Sequence, residues 1–241
     1  MKKIEGLQKP EMKYWPDVRW WLAEGLHTDE TLKKEISDLY ETGFGAVEFL
    51  AMEEPGADSK IYGWGSEEWV HDSHTIVEET TKRQMGVSMT SGTNWSNANL
   101  ITITPDDRAA AKELDYMVET IKTGETKDGA ILEAELTMPG VTKQELEAVV
   151  AIRLCGEKNG KVYLSKESSV VLTEKVKDGK LTWTAPKDGD YLLFYFWIHG
   201  TGQTAEPSVS TSYTINYIDK EGVEAFIEYW ENTVLTPQLR A

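Results

Sequence analysis

Aromatic, acidic and amide side chains follow or end three short apolar runs in the first hundred residues. The first group is Trp20-Trp21, the second is centred on Glu48, and the third is Thr90-Ser91-Gly92-Thr93-Asn94-Trp95. Tryptophan rings present broad apolar faces, which suit stacking on sugar rings, while Glu and Asn hydrogen-bond hydroxyl groups. We therefore predict a substrate-binding wall formed by five residues, which are Trp20, Glu48, Trp64, Asn94 and Trp95.

Each of these residues also has a purely structural explanation. A carboxylate inside an apolar strand costs stability unless it is paired. A backbone amide or the neighbouring Arg19 would satisfy Glu48. Trp64 and Trp95 would equally well pack the rim of the fold, and Asn94 is an ordinary loop residue.

Catalytic groups are harder to assign than binding groups, and they stay unknown. Glycoside hydrolysis normally uses two carboxylates roughly 5–9.5 Å apart, and Glu48 and Glu53 are candidates only by position. His71 and His74 share one face of a predicted helix, but no third ligand is near in the sequence, so we expect no metal site. The chain lacks a phosphate loop and a dinucleotide-binding glycine motif, so we expect no cofactor.

The composition limits the classes of partner and of architecture. The chain has 241 residues, 40% of them hydrophobic, which is enough for one large domain or two modest ones. Forty-one acidic and 25 basic residues give a net charge of −16, which repels nucleic acid and anionic membranes. One cysteine excludes an internal disulfide. Without a visible signal peptide we expect a cytoplasmic protein, or a secreted one if the true amino terminus is missing.

Strand and helix signals alternate through the first hundred residues. Apolar runs at 18–23, 45–50 and 86–91 indicate strands, and the capping residues Thr28 and Ser66 precede two amphipathic helices. This order predicts parallel strands joined by right-handed crossovers. A barrel of eight such units needs roughly 250 residues. We therefore expect only the first units of a barrel.

The pattern changes after this region. Pro105 predicts a short helix that ends near Leu114. Short β-rich runs follow at 131–138, 149–154, 170–172, 181–184 and 191–198. Asn-Gly and Asp-Gly turns between the runs predict an antiparallel sandwich, and a helix capped by Asp219 resumes the α/β character. The expected domains are the first barrel units in 1–127, an inserted β-sandwich in 128–215 and a return to the barrel in 216–241.

Several ordered motifs resemble one known enzyme family. They are Val18-Arg19-Trp20-Trp21, Thr28-Asp29-Glu30, Gly43-Phe44-Gly45-Ala46-Val47-Glu48, Tyr62-Gly63-Trp64-Gly65-Ser66-Glu67-Glu68-Trp69, Trp183-Thr184-Ala185-Pro186, Gly200-Thr201-Gly202-Gln203 and Ile218-Asp219. In this order they resemble the glycoside hydrolase family 106 α-L-rhamnosidases over nearly the whole chain. The segment 90–95 is similar to that family's Gly-x-Gly-Trp-Pro loop but departs from it, with Ser96 in place of proline.

The resemblance implies the N-terminal part of a (β/α)8 TIM-type barrel with an inserted antiparallel β-sandwich. It implies a glycoside hydrolase that removes terminal deoxysugars such as rhamnose from plant or bacterial glycans, and it allows calcium as a cofactor. The family's catalytic carboxylates lie on later strands. We therefore expect an inactive fragment whose partners are a carbohydrate substrate and the missing C-terminal part of the catalytic domain. The alternative is a non-catalytic carbohydrate-binding or structural protein of the same fold.

Overall fold

Two compact units make up the chain in the computed structural model, which describes residues 10–23, 25–52, 56–90, 98–204 and 210–240. The first unit comprises Met1–Ile103, Arg108–Ala111 and Gln203–Ala241, and the second comprises Thr104–Asp107 and Lys112–Gly202. No helix in the described ranges is both long and apolar enough to cross a membrane.

The elements alternate between strand and helix only in the first part of the chain. Up to residue 100 they are β1 (Asp17–Ala23), α1 (Asp29–Glu41), β2 (Ala46–Met52), α2 (Ser59–Tyr62), α3 (Glu67–Lys82), β3 (Gly86–Met89) and β4 (Asn99–Leu100). The strands β5 (Lys112–Ile121), β6 (Thr126–Ala130), β7 (Gln144–Lys158), β8 (Lys161–Leu164), β9 (Val170–Val171), β10 (Val176–Lys177), β11 (Lys180–Thr184), β12 (Tyr191–Gly200) and β13 (Tyr213–Thr214) follow. The last elements are α4 (Lys220–Tyr229), a π-helical turn (Trp230–Val234) and α5 (Pro237–Arg240).

A three-stranded parallel sheet in the order β1-β2-β3 forms the centre of the first unit. Side chains alternate between the faces of a strand. In β1 the apolar set Val18, Trp20 and Leu22 packs into a core shared with α1 and α3, whereas Arg19 and Trp21 are exposed. The three predicted strands and their parallel order are confirmed. Among the described residues they do not close into a barrel.

Both predicted helix starts are confirmed by side-chain caps. The Thr31 amide donates to Thr28 Oγ1 at 3.3 Å, and the Trp69 amide donates to Ser66 Oγ at 3.2 Å. Acidic residues occupy the first turn of each helix, where they face the positive end of the helix dipole. These caps fix the residues at which α1 and α3 begin.

Replacing Ser66 by alanine is expected to lower the free energy of unfolding by about 1 kcal/mol, because the Trp69 amide loses its acceptor. Urea denaturation followed by tryptophan fluorescence measures the change. The matched control is Ser37→Ala, which removes a hydroxyl from inside α1 without touching a cap. If Ser66→Ala had the same free energy of unfolding as Ser37→Ala, the Ser66 cap would not contribute to stability.

The second unit consists of two antiparallel sheets around one core. Their strand orders are β5-β12-β7-β8, with β9 also on β7, and β10-β11-β6. Alternate residues of β12 point into the core, and its fully buried members Leu193 and Tyr195 pack with Leu181 of β11. Asn159-Gly160 and Asp178-Gly179 have positive φ angles and form the tight turns predicted there.

Two element predictions in this region are wrong. Residues 105–111 form turns and an isolated bridge instead of a helix, and the Thr104 amide donates to Asp107 Oδ2 at 2.6 Å. The run 131–138 has no strand pairing, although Ile131 and Ala134 are buried. The strands are instead β5 and β6, and β6 consists of polar and small residues, which give only a weak strand signal in the sequence.

Candidate functional site

Glu48 lies on the open face of the parallel sheet, opposite the helices. The register places Arg19 of β1, Glu48 of β2 and Ser88 of β3 side by side. Arg19 Nε donates to Glu48 Oε2 at 3.2 Å, with the two side chains 51% and 36% exposed. The structural alternative for Glu48, pairing with Arg19, is therefore confirmed. An exposed pair of this kind stabilises little, typically about 0–1 kcal/mol.

A shallow cavity of about 370 Å³ covers this part of the sheet. It is lined by Asp17, Val18, Arg19, Ala46, Val47, Glu48 and Ser88. Two carboxylates, one guanidinium and one hydroxyl thus face the same space, and together they both donate and accept hydrogen bonds. Glu48 is the third of seven residues in β2, so it lies nearer the start of the strand than its end. Two residues further along the strands, Trp21 is 44% exposed and is paired with the buried Leu50.

Trp20 lies on the opposite face of the sheet from Glu48. Strand alternation directs it toward the helices, where its Nε1 donates to Glu35 Oε2 of α1 at 2.8 Å. The structure therefore separates Trp20 from Glu48 by the thickness of the sheet.

Trp64 is a core residue, with only 1% of its surface exposed. Its ring centroid lies 4.7 Å from that of Tyr229 and 6.4 Å from that of Phe226. Tyr229 Oη also donates to the Trp64 carbonyl at 2.8 Å. The surrounding loop lines a cavity of about 610 Å³ that shares no lining residue with the Glu48 cavity.

The two remaining members of the predicted wall, Asn94 and Trp95, lie outside the described residues. The described part of the chain brings Glu48 together with Asp17, Ser88 and Arg19 instead. A usable signal for these neighbours was present, because Asp17, Arg19 and Trp21 alternate with the apolar residues of the same strand.

A second polar cluster joins the start of α1 to α3. His71 Nε2 lies 2.9 Å from Asp29 Oδ1, and His27 Nε2 lies 2.7 Å from Asp72 Oδ2. The hydrogen bond from His71 lowers the pKa of Asp29, and the same bond raises the pKa of His71. This cluster does not fit the calcium that the resemblance allows, since Ca²⁺ takes six to eight oxygen ligands. In the described ranges no other group of three or more His, Cys, Asp or Glu side chains has the spacing of a metal site.

The parallel β/α unit and the unit of antiparallel sheets together define a mixed α/β protein. Among solved structures, the rhamnosidase from Novosphingobium sp. PP1Y is similar, with a TM-score of 0.62 and 11% sequence identity. The match covers 96% of this chain and 37% of that protein, so the chain spans little more than a third of its length. No protein family and no curated protein matches the sequence. At this identity the likeness shows the fold alone.

Proposed function

We propose that this chain is the sugar-binding part of a glycoside hydrolase-like protein that acts on terminal deoxysugars such as L-rhamnose. The observation that carries the proposal is the fold likeness to a rhamnosidase over 96% of the chain. That hydrolysis takes place and that the sugar is a deoxysugar are both proposed, because the match covers only 37% of that enzyme.

The Arg19–Glu48 pair supports this role by its chemistry. A carboxylate accepts hydrogen bonds from neighbouring hydroxyl groups of a sugar ring, and a guanidinium donates hydrogen bonds to the oxygens of the sugar. Both side chains are partly exposed, at 51% and 36%, so a sugar reaches them without opening a buried ion pair. Trp21, on the same face of β1, offers an apolar surface for a ring or its methyl group.

Replacing Glu48 by glutamine is expected to weaken the binding of L-rhamnose by roughly ten- to a hundredfold, since a hydrogen bond to a charged group contributes about 1.5–3 kcal/mol. Isothermal titration calorimetry of the chain measures the loss. Glu35→Gln is the matched control, because Glu35 accepts from Trp20 on the helical side of the sheet. Equal affinities for the two variants would remove Glu48 from the binding site.

Assays with aryl α-L-rhamnosides distinguish a chain that hydrolyses the glycosidic bond from a chain that only binds the sugar. Turnover that disappears in Glu48→Gln would give Glu48 a catalytic role. Binding without turnover would favour the non-catalytic carbohydrate-binding alternative.

A further inference from the structure

The polar cluster between α1 and α3 contains a set of side chains that bind metals. One ligand atom each from Asp29, His71 and Asp72 lies within 4.8 Å of the other two. Asp29 is the first residue of α1, and the other two are neighbours in α3. From this geometry we propose that the chain binds a divalent transition-metal ion, such as Zn²⁺, through Asp29, His71 and Asp72. This proposal does not rest on the proposed sugar binding.

The deepest of these ligands is already held in place. His27 Nε2 lies 2.7 Å from Asp72 Oδ2, and each of the two side chains is only 10% exposed. His27 Nδ1 lies 3.2 Å from the Ala23 carbonyl, which fixes the plane of the ring. Partners of this kind orient ligands and tune metal affinity in known sites. His27 is therefore a positioning residue for Asp72.

A second histidine of α3 lies beside the cluster. His74, Asp29 and His71 line the same cavity of about 430 Å³. His74 Nε2 is buried and, within the described part of the chain, has no hydrogen-bond partner. A buried polar atom without a partner is uncommon and calls for an explanation. His74 lies outside the group whose ligand atoms are within 4.8 Å of one another, so it is not one of the proposed ligands.

The donor set selects the class of metal. Imidazole nitrogen together with carboxylate oxygen suits Zn²⁺ and similar ions, whereas Mg²⁺ and Ca²⁺ prefer oxygen alone. The carboxylates of Asp29 and Asp72 neutralise a divalent charge, while the positive end of the α1 dipole opposes it. The metal also replaces the hydrogen-bonded proton between His71 and Asp29, so binding releases protons.

The test is a calorimetric titration of the chelator-treated chain with Zn²⁺ at neutral pH. We expect one equivalent to bind, and His71→Asn and Asp29→Asn each to weaken binding at least about tenfold, which is a loss of about 1.4 kcal/mol. Both residues are partly exposed, at 55% and 36%, so both variants should fold. The matched control is Asp38→Asn, a carboxylate elsewhere on α1 that pairs with Lys34 and should leave affinity unchanged.

Two further readouts decide between a built site and loose binding to an acidic surface. Co²⁺ bound in the cluster should give visible d–d bands that vanish in His71→Asn, and excess Mg²⁺ should not displace Zn²⁺. The proposal is overturned if Zn²⁺ does not bind. It is equally overturned if Zn²⁺ binds the His71→Asn and Asp29→Asn variants as tightly as the unchanged chain.

Discussion

An Asp72→Ala variant should lose about 1–3 kcal/mol of unfolding free energy, the usual cost of removing one partner of a buried hydrogen bond. The substitution removes the 2.7 Å contact between His27 Nε2 and Asp72 Oδ2 and opens a gap between the end of β1 and α3. Urea denaturation of the chelator-treated chain, followed by tryptophan fluorescence, measures the loss without any contribution from a bound metal.

The exposed Lys34–Asp38 pair provides the matched control for this prediction. Its side chains are 73% and 56% exposed, so Asp38→Ala should cost no more than about 0.5 kcal/mol. His27→Ala combined with Asp72→Ala should cost less than the sum of the single changes, because the two residues contact each other. Additive losses in the double variant would show that the His27–Asp72 contact contributes nothing.

The second large effect is expected at Trp64, where substitution by alanine should cost about 3–5 kcal/mol. Its ring is 1% exposed and lies among Trp69, Phe226 and Tyr229, so truncation leaves a cavity in the core of the first unit. Chemical denaturation monitored by far-UV circular dichroism measures the change.

Trp21→Ala is the comparison for Trp64→Ala, because the Trp21 side chain is 44% exposed. It should change stability by less than about 1 kcal/mol and should weaken sugar binding instead. A Trp64→Ala variant that kept full stability but lost sugar binding would return Trp64 to the predicted substrate wall.

Local signals in the sequence were sufficient for β1, α1, β2, α3 and β3 of the first unit. Capping residues such as Ser66 and short apolar runs act within a few residues, and the strands and helices formed where they indicated. These local signals failed where tertiary contacts determine the backbone conformation. Asp106 accepts hydrogen bonds from the backbone amides of Thr142 and Lys143, 36 and 37 residues later, and the segment after Pro105 adopts turns instead of a helix.

The candidate site was only partly predictable, for the same reason. Glu48 and its partner Arg19 were recognisable, but adjacent residues of a strand face opposite sides, so Trp21 shares the face of Glu48 and Trp20 does not. The third ligand beside His71 was invisible, because Asp29 comes from another helix 42 residues earlier. Only the packing of α1 on α3 brings them together.

Chemical-shift mapping by nuclear magnetic resonance during titration with L-rhamnose tests the central claim most directly, because it reports binding residue by residue. We predict perturbations at Arg19, Trp21 and Glu48, on the open face of the parallel sheet, with the Trp64 indole unchanged. Perturbations confined to the loop around Trp64, or none at saturating sugar, would contradict sugar binding on this face.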